Sequence, residues 1–213
     1  MKKILFTLVA TLMVLCAQAQ ELGSVSAAQS REMIAQINAK TSKCKSIVCD
    51  FKQTKKIKML NDRMISHGRM HYTNTGQLRW EYTSPYSYIF IINGNQVTMK
   101  SGRQKSEMNI ASSRLFQSIA RIMMSSVTGQ SLTNSKEFKV SMYTYGAHEW
   151  VAYLEPRNGD IKKIFKSILV YFDKAKQTVN QVAMIEKNGD TTVIQLNNIK
   201  TNSAINASIF SVS

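Results

Sequence analysis

Leu78-Arg79-Trp80-Glu81-Tyr82-Thr83-Ser84-Pro85-Tyr86, followed within a few residues by Ile91-Ile92-Asn93-Gly94-Asn95, decides the reading of this chain. Apolar and polar residues alternate along it. Leu78, Trp80 and Tyr82 therefore share one face of a strand, and Arg79 and Glu81 share the other. Pro85 ends the strand, a second aromatic strand follows, and Asn93-Gly94 supplies a tight hairpin. A Trp among apolar neighbours on one sheet face walls either a core or a cavity.

Outward from this stretch, the period-two pattern runs from Ile47 to about Met99. Turns fall near Asn61-Asp62, Asn74-Thr75-Gly76, Pro85 and Asn93-Gly94, which predicts an antiparallel meander. Upstream, Ser26 to about Lys43 reads as a helix, capped by Ser26 or Ser30, with Met33, Ile34 and Ile37 as its apolar stripe. A second helix is predicted after Ser112-Ser113, where Leu115, Phe116, Ile119, Ile122 and Met123 recur at helical spacing until Gly129. That stripe fits ordinary core packing. It also fits a lid, since the helix interrupts a run of strands and polar loops flank it (Gly102 to Ser106, Thr128 to Ser135). Strands resume at Phe138 to Tyr145 and Trp150 to Glu155. After a loop at Pro156 to Asp160 come Lys166 to Phe172, Thr178 to Glu186 and Thr191 to Asn198. There is no repeat, linker or low-complexity tract, so residues 20–213 read as one domain.

Residues 1–19 read as a secretory signal: Lys2 and Lys3, an apolar stretch from Ile4 to Cys16, then Ala17-Gln18-Ala19. The rival reading, a lipid-modified Cys16, suffers from the bulky Leu15 before it. No other apolar run approaches the ~20 residues of a membrane helix. An exported, soluble protein is expected. Its formal charge of +15 falls to +13 without the two leader lysines. Lys52, Lys55, Lys56 and Lys58 fit a solvated strand end, or an attraction to anionic surfaces. Nucleic acid is a poor partner for an exported chain without a binding signature. Cys44 and Cys49 fit either a disulfide in an oxidising compartment or, for Cys49 beside Ile47 and Phe51, a small buried hydrophobe.

Catalytic chemistry finds little support. On a strand, His67 and His71 lie ~13 Å apart, too far for one metal ion. Gly129-Gln130-Ser131-Leu132-Thr133 lacks the second Gly of a nucleophile elbow. The 13 acidic residues are mostly single and beside turns, so no carboxylate pair stands out. The expectation is a non-enzyme without metal or cofactor. Ten of the twelve methionines lie beyond residue 19. Met is unbranched and adaptable, which suits either a Met-rich core or a pocket for variable chains.

The opening stretch resembles the Phe/Leu-Arg-Trp…Pro strand and Asn/Asp-Gly hairpin of the LolA-type lipoprotein carriers. Cys49-Asp50-Phe51-Lys52-Gln53-Thr54-Lys55 is similar to that family's first strand. His67-Gly68-Arg69-Met70-His71-Tyr72 is similar to its Gly-x-aromatic strand, and Ile194 to Ile199 through Phe210 to its closing strands. The elements alone fit a barrel, a sandwich or a curved sheet wrapping helices. The resemblance implies the third: an α+β, mainly antiparallel, incomplete (half-open) β-barrel with helices over its apolar concave face. It implies a monomeric periplasmic carrier that shields the acyl chains of lipoproteins and ferries them from inner to outer membrane. An inner-membrane transporter would load it and an outer-membrane acceptor would unload it. Carriage of another lipid, and an envelope-stress sensing module, are the alternatives. The inferred cavity comprises Phe51, Met70, Tyr72, Leu78, Trp80, Ile89, Ile91, Tyr153 and Met184, with Leu115, Ile119, Ile122 and Met123 from the lid. Family members carry a lid-closing Arg before the Trp strand, but the matching Thr73-Asn74-Thr75 has none; Arg69 and Arg79 are nearby, and neither is assigned to that role.

Overall fold

A computed structural model describes residues 21–109, 128, 132, 136–157 and 159–212. The predicted signal segment and, Thr128 apart, the predicted second helix lie outside the described residues. Helix α1 spans Ala27–Thr41. Ser26 caps it in extended geometry: its hydroxyl accepts from the Gln29 N–H, and the Gln29 side chain accepts from the Ser26 N–H at 2.8 Å. This reciprocal box satisfies two of the amides a helix start leaves unpaired. Met33 and Ile37, four apart, are the buried positions. The helix stops two residues before the predicted Lys43.

Twelve strands form one sheet: β1 (Leu22–Ser24), β2 (Ser46–Ile57), β3 (Asp62–Thr73), β4 (Gln77–Ser84), β5 (Tyr88–Asn93), β6 (Gln96–Ser101), β7 (Gln104–Asn109), β8 (Phe138–Tyr145), β9 (Glu149–Pro156), β10 (Phe165–Asp173), β11 (Thr178–Glu186) and β12 (Thr191–Thr201). Their order is β1-β8-β9-β10-β11-β12-β2-β3-β4-β5-β6-β7, every pairing antiparallel. Two meanders therefore join where β12 returns beside β2, and β1 and β7 remain as unjoined edges. The fold is an unclosed antiparallel barrel, as expected. Four described elements were not anticipated, one of them a 3₁₀ turn at Ala207–Phe210 where closing strands were expected. β7 occupies the predicted polar loop at Gly102 to Ser106, β1 is a three-residue strand, and helix α2 (Gly159–Ile164) begins at the end of the Pro156 loop.

Register settles which residues share a face. Phe51, Gly68 and Tyr82 stand opposite one another across β2, β3 and β4, and next to them Cys49, Met70 and Trp80 do the same. Gly68 makes this packing possible. A Cβ there would overlap the Glu81 carbonyl oxygen and the Phe51 ring. Without it, Phe51 lies on the β3 backbone, stacked on Trp80 (centroids 4.2 Å apart, planes at 27°) and edge-on to Tyr82 at 5.2 Å. All three of Phe51, Met70 and Trp80 are buried.

The opposite, convex face is covered in part by the chain end. A 3₁₀ turn at Ala207–Phe210 packs on β4 and β5. Arg79, paired with Glu81 at 2.9 Å, donates to the Ile209 carbonyl at 3.0 Å.

Gly68→Ala should lower stability by about 1–3 kcal/mol, the usual range for overpacking, read as a shift of the urea midpoint at constant slope. Phe51→Ala should cost about 3–5 kcal/mol. A Gly68→Ala midpoint equal to wild type would show that the ring does not rest on the backbone.

Candidate functional site

The concave face carries a continuous apolar surface. Phe51, Met70, Tyr72, Leu78 and Trp80 face into it from β2–β4, and Met184 reaches it from β11 opposite Ile168. These six predicted residues are brought together on one face. Met33 and Ile37 of α1 pack into the same cluster.

Three predicted residues lie elsewhere. Ile89 and Ile91 stand opposite Glu81 and Arg79, so they belong to the convex face, and Phe90 and Ile92 point inward in their place. Ile91 is nonetheless only 1% exposed, on the side where the C-terminal turn packs. Tyr153 pairs with Leu169 and Ser141 on the convex face, while Trp150, Ala152 and Leu154 face inward. Both errors fall in unbroken apolar runs, which carry no alternation and hence no phase. A signal was available for β5. Val97 and Met99 alternate with polar neighbours in β6, and a two-residue turn pairs them with Ile92 and Phe90. Leu115, Ile119, Ile122 and Met123 lie outside the described residues.

Polar groups mark the two ends of the face. Toward the β2–β3 hairpin, Tyr82 donates to Gln53 at 3.0 Å, and Lys55 pairs with Glu186 at 3.6 Å. At the other end a cavity of about 210 Å³ opens beside the last turn of α1. Ile47, Val179, Leu196 and Ile199 line it, and the exposed Lys40 and Lys43 stand at its edge. Between the ends, the buried Trp80 Nε1–H makes no hydrogen bond of good geometry among the described residues, though it lies near enough to the Tyr82 hydroxyl to favour its ionised form.

Cys44 and Cys49 are free thiols. In this structure the two have separate surroundings. Cys44 donates to the Ser46 carbonyl at 3.4 Å, and Cys49 is a 2%-exposed member of the core. Burial, then the nearby Asp50, pushes the Cys49 thiol up to about 12. Burial also raises the Tyr72 and Tyr82 phenols. His67 and His71 share the convex face of β3, and desolvation holds the His71 imidazole below its usual range. Among the described residues no three His, Cys, Asp or Glu side chains gather as a metal site.

Neither Arg69 nor Arg79 can latch a helix over the concave face. Arg69 meets Asp50 at 3.4 Å and Arg79 holds the chain end, both on the convex side. The Asp50 carboxyl is held below its usual range, chiefly by the Asn198 amide and further by Arg69.

An unclosed antiparallel sheet with an apolar concave face and a helix against it defines a class of carrier and binding folds. The profile of the family described as "Outer membrane lipoprotein carrier protein LolA" matches residues 42–213. The chain belongs to the LolA family. A search of curated proteins finds no match. Among solved structures, an uncharacterized conserved protein from Thermus thermophilus is similar at TM-score 0.53 and 9% identity, over 86% of this chain and 93% of that one. A putative outer membrane lipoprotein-sorting protein domain from Vibrio parahaemolyticus follows at 0.48 and 10%, over 87% and 97%. A LolA superfamily protein from Nitrosomonas europaea scores 0.45 at 8% identity, over 86% and 97%. Among the described residues no helix is long and apolar enough to cross a membrane.

A raised folded-state thiol pKa means that the native state holds its proton longer than the unfolded chain. This contribution is complete below pH 9.0 and is lost as the pH climbs toward about 12. Stability should therefore fall across that window, and Cys49→Ala should flatten the fall. An identical slope in the variant, measured by urea titration at stepped pH, would remove Cys49 from the effect.

Proposed function

We propose that residues 20–213 are one soluble periplasmic carrier domain, exported by residues 1–19, that ferries lipoproteins from the inner to the outer membrane with their acyl chains hidden on the concave face. The carrying observation is that face. It is apolar from β7 across to β8, and α1, with Ile161 of α2 and Leu132, packs against it among the described residues. An acyl chain displaced from water onto such a surface gains ~0.8 kcal/mol per CH₂. The chain takes the place of apolar side chains already in contact, so net affinity is a small difference between large terms. That difference permits release. Loading and unloading then fall to membrane-bound partners, with no nucleotide chemistry in the carrier itself.

The Trp80 indole N–H, which makes no hydrogen bond of good geometry among the described residues, supports an esterified ligand. A buried donor left unpaired costs about 1–3 kcal/mol, and an ester carbonyl at the glycerol end of an acyl anchor would accept its hydrogen bond. The exposed lysines at the cavity edge are placed to meet anionic groups.

Native mass spectrometry with lipid extraction, on protein purified from its own periplasm, tests the reading directly. A triacylated polypeptide in stoichiometric amount is expected. A non-protein lipid would change the cargo, and an empty protein unable to take up a fluorescent acyl probe would end the proposal. Met184 is only half-buried, so Met184→Glu should keep the fold by circular dichroism while weakening probe binding about tenfold or more. Trp80→Phe should weaken binding of a diacylglyceryl peptide more than that of a simple hydrocarbon probe. Equal losses would remove the indole from ester recognition.

A further inference from the structure

The tip of the β2–β3 hairpin is built against the usual rules of a turn. Gly, Asn, Asp, Ser and Pro dominate such positions because they fit the backbone and solvate well. Here the turn from Lys58 to Asn61 places Met59 and Leu60 at its apex, 90% and 67% exposed. Met64 and Ile65, on the strand just behind, are 48% and 37% exposed. That part of β3 extends past its neighbour: β4 ends at Ser84, opposite His67, so Asp62 to Ser66 have no strand partner on that side among the described residues.

Behind the apolar apex lies a collar of cations. Lys56 and Arg63 stand directly opposite each other across the two strands, an arrangement of like charges that destabilises a sheet. Lys58 lies beside them, and Lys56, Lys58 and Arg63 all reach solvent. The nearby carboxylates accept from backbone amides or pair with Lys55, and none forms an ion pair with the three collar side chains. Asp62 accepts from the Arg63 backbone N–H at 2.6 Å, Asp190 from the Lys58 backbone N–H at 3.0 Å, and Glu186 pairs with Lys55. No ion pair to Lys56, Lys58 or Arg63 occurs among the described residues.

We infer that this hairpin tip is a contact element for an anionic lipid bilayer, Met59 and Leu60 entering the interface while Lys56, Lys58 and Arg63 meet the headgroups. The order of zones along the hairpin selects this occupant. Apolar groups are outermost and cations stand behind them, the inverse of a bilayer approached from water, where anionic headgroups precede hydrocarbon. The anionic surface also relieves the Lys56–Arg63 repulsion that folding leaves in place. The inference does not rest on the carrier reading.

Vesicle flotation of the mature protein tests it, with phosphatidylethanolamine–phosphatidylglycerol vesicles against pure phosphatidylcholine. Wild type should float with the anionic vesicles and not with the neutral ones, and high salt should release it. Met59→Asp with Leu60→Asp should cut the floated fraction at least tenfold, as should Lys56→Gln with Lys58→Gln and Arg63→Gln. Both variants should keep acyl-probe uptake and melt no lower than wild type, the charge variant somewhat higher because the Lys56–Arg63 repulsion is removed, which separates loss of this contact from failure of the cavity. Wild type that stays with the neutral pattern on anionic vesicles would overturn the inference. So would tip variants that float normally, or that lose only cross-linking to a protein partner while flotation is unchanged.

Discussion

The close approach of the Phe51 ring to the bare backbone of Gly68 is the contact on which the rest of the site depends. It fixes the register of three strands at once, because Phe51, Gly68 and Tyr82 must lie in one row. A slip of one residue would turn Met70 and Trp80 outward and Arg69 and Arg79 inward. It also places a large ring nearly parallel to Trp80 (at 27°) on the wall of the concave surface. A glycine in a strand normally weakens it. Here the loss of a side chain is offset by the aromatic ring that covers the gap, so the strand is locally weak and the face collectively strong.

The concave and convex faces solve different problems with the same sheet. On the convex side of β4 and β5, the chain end provides the cover, held by the Arg79 guanidinium on the Ile209 carbonyl. That side has no need to open. On the concave side α1 is held mainly by Met33 and Ile37. Its C-terminal connection is more firmly tied. Asn202 accepts from the Lys45 N–H at 2.7 Å and donates to the Lys43 carbonyl at 3.3 Å, and the Ser46 hydroxyl donates to the Ser203 carbonyl at 2.7 Å. The connection to the sheet is thus an anchored point, and the helix body is the part held by apolar contact.

Most of the strand pattern was legible, because turn chemistry and alternation agree over Ile47 to Met99 and Phe138 to Asn198. The capped start of α1 was legible for the same reason: Ser26 and Gln29 carry their own geometry. Legibility failed where one signal was missing. Tyr88 to Ile92 and Trp150 to Leu154 are apolar throughout, because residues on both of their faces are buried, so period two vanished and the wrong phase was chosen for Ile89, Ile91 and Tyr153. β7 was missed for the opposite reason. Its six residues are nearly all polar and exposed, with Met108 its single partly buried apolar residue, as befits an edge strand. The two cysteines were ambiguous because spacing does not reveal direction. Register does, turning Cys49 into the core while Cys44 stays at the cavity beside α1.

The departure from the family's lid-closing Arg has a physical counterpart. With Arg69 and Arg79 on the convex face, the polar link between the body of α1 and the sheet, among the described residues, is neutral: Gln177 donates to Gln36 at 2.9 Å. A hydrogen bond of this kind contributes about 0.5–1.5 kcal/mol net. Burying side chains such as Met33 and Ile37 contributes about 1.5–3 kcal/mol each. Closure of α1 is therefore dominated by the apolar term. Under the proposed function an incoming acyl chain would replace that term in kind, methylene for methylene, whereas it could not replace a buried guanidinium contact. Among the described residues, then, α1 is held by apolar packing, one neutral hydrogen bond and an anchored C-terminal end.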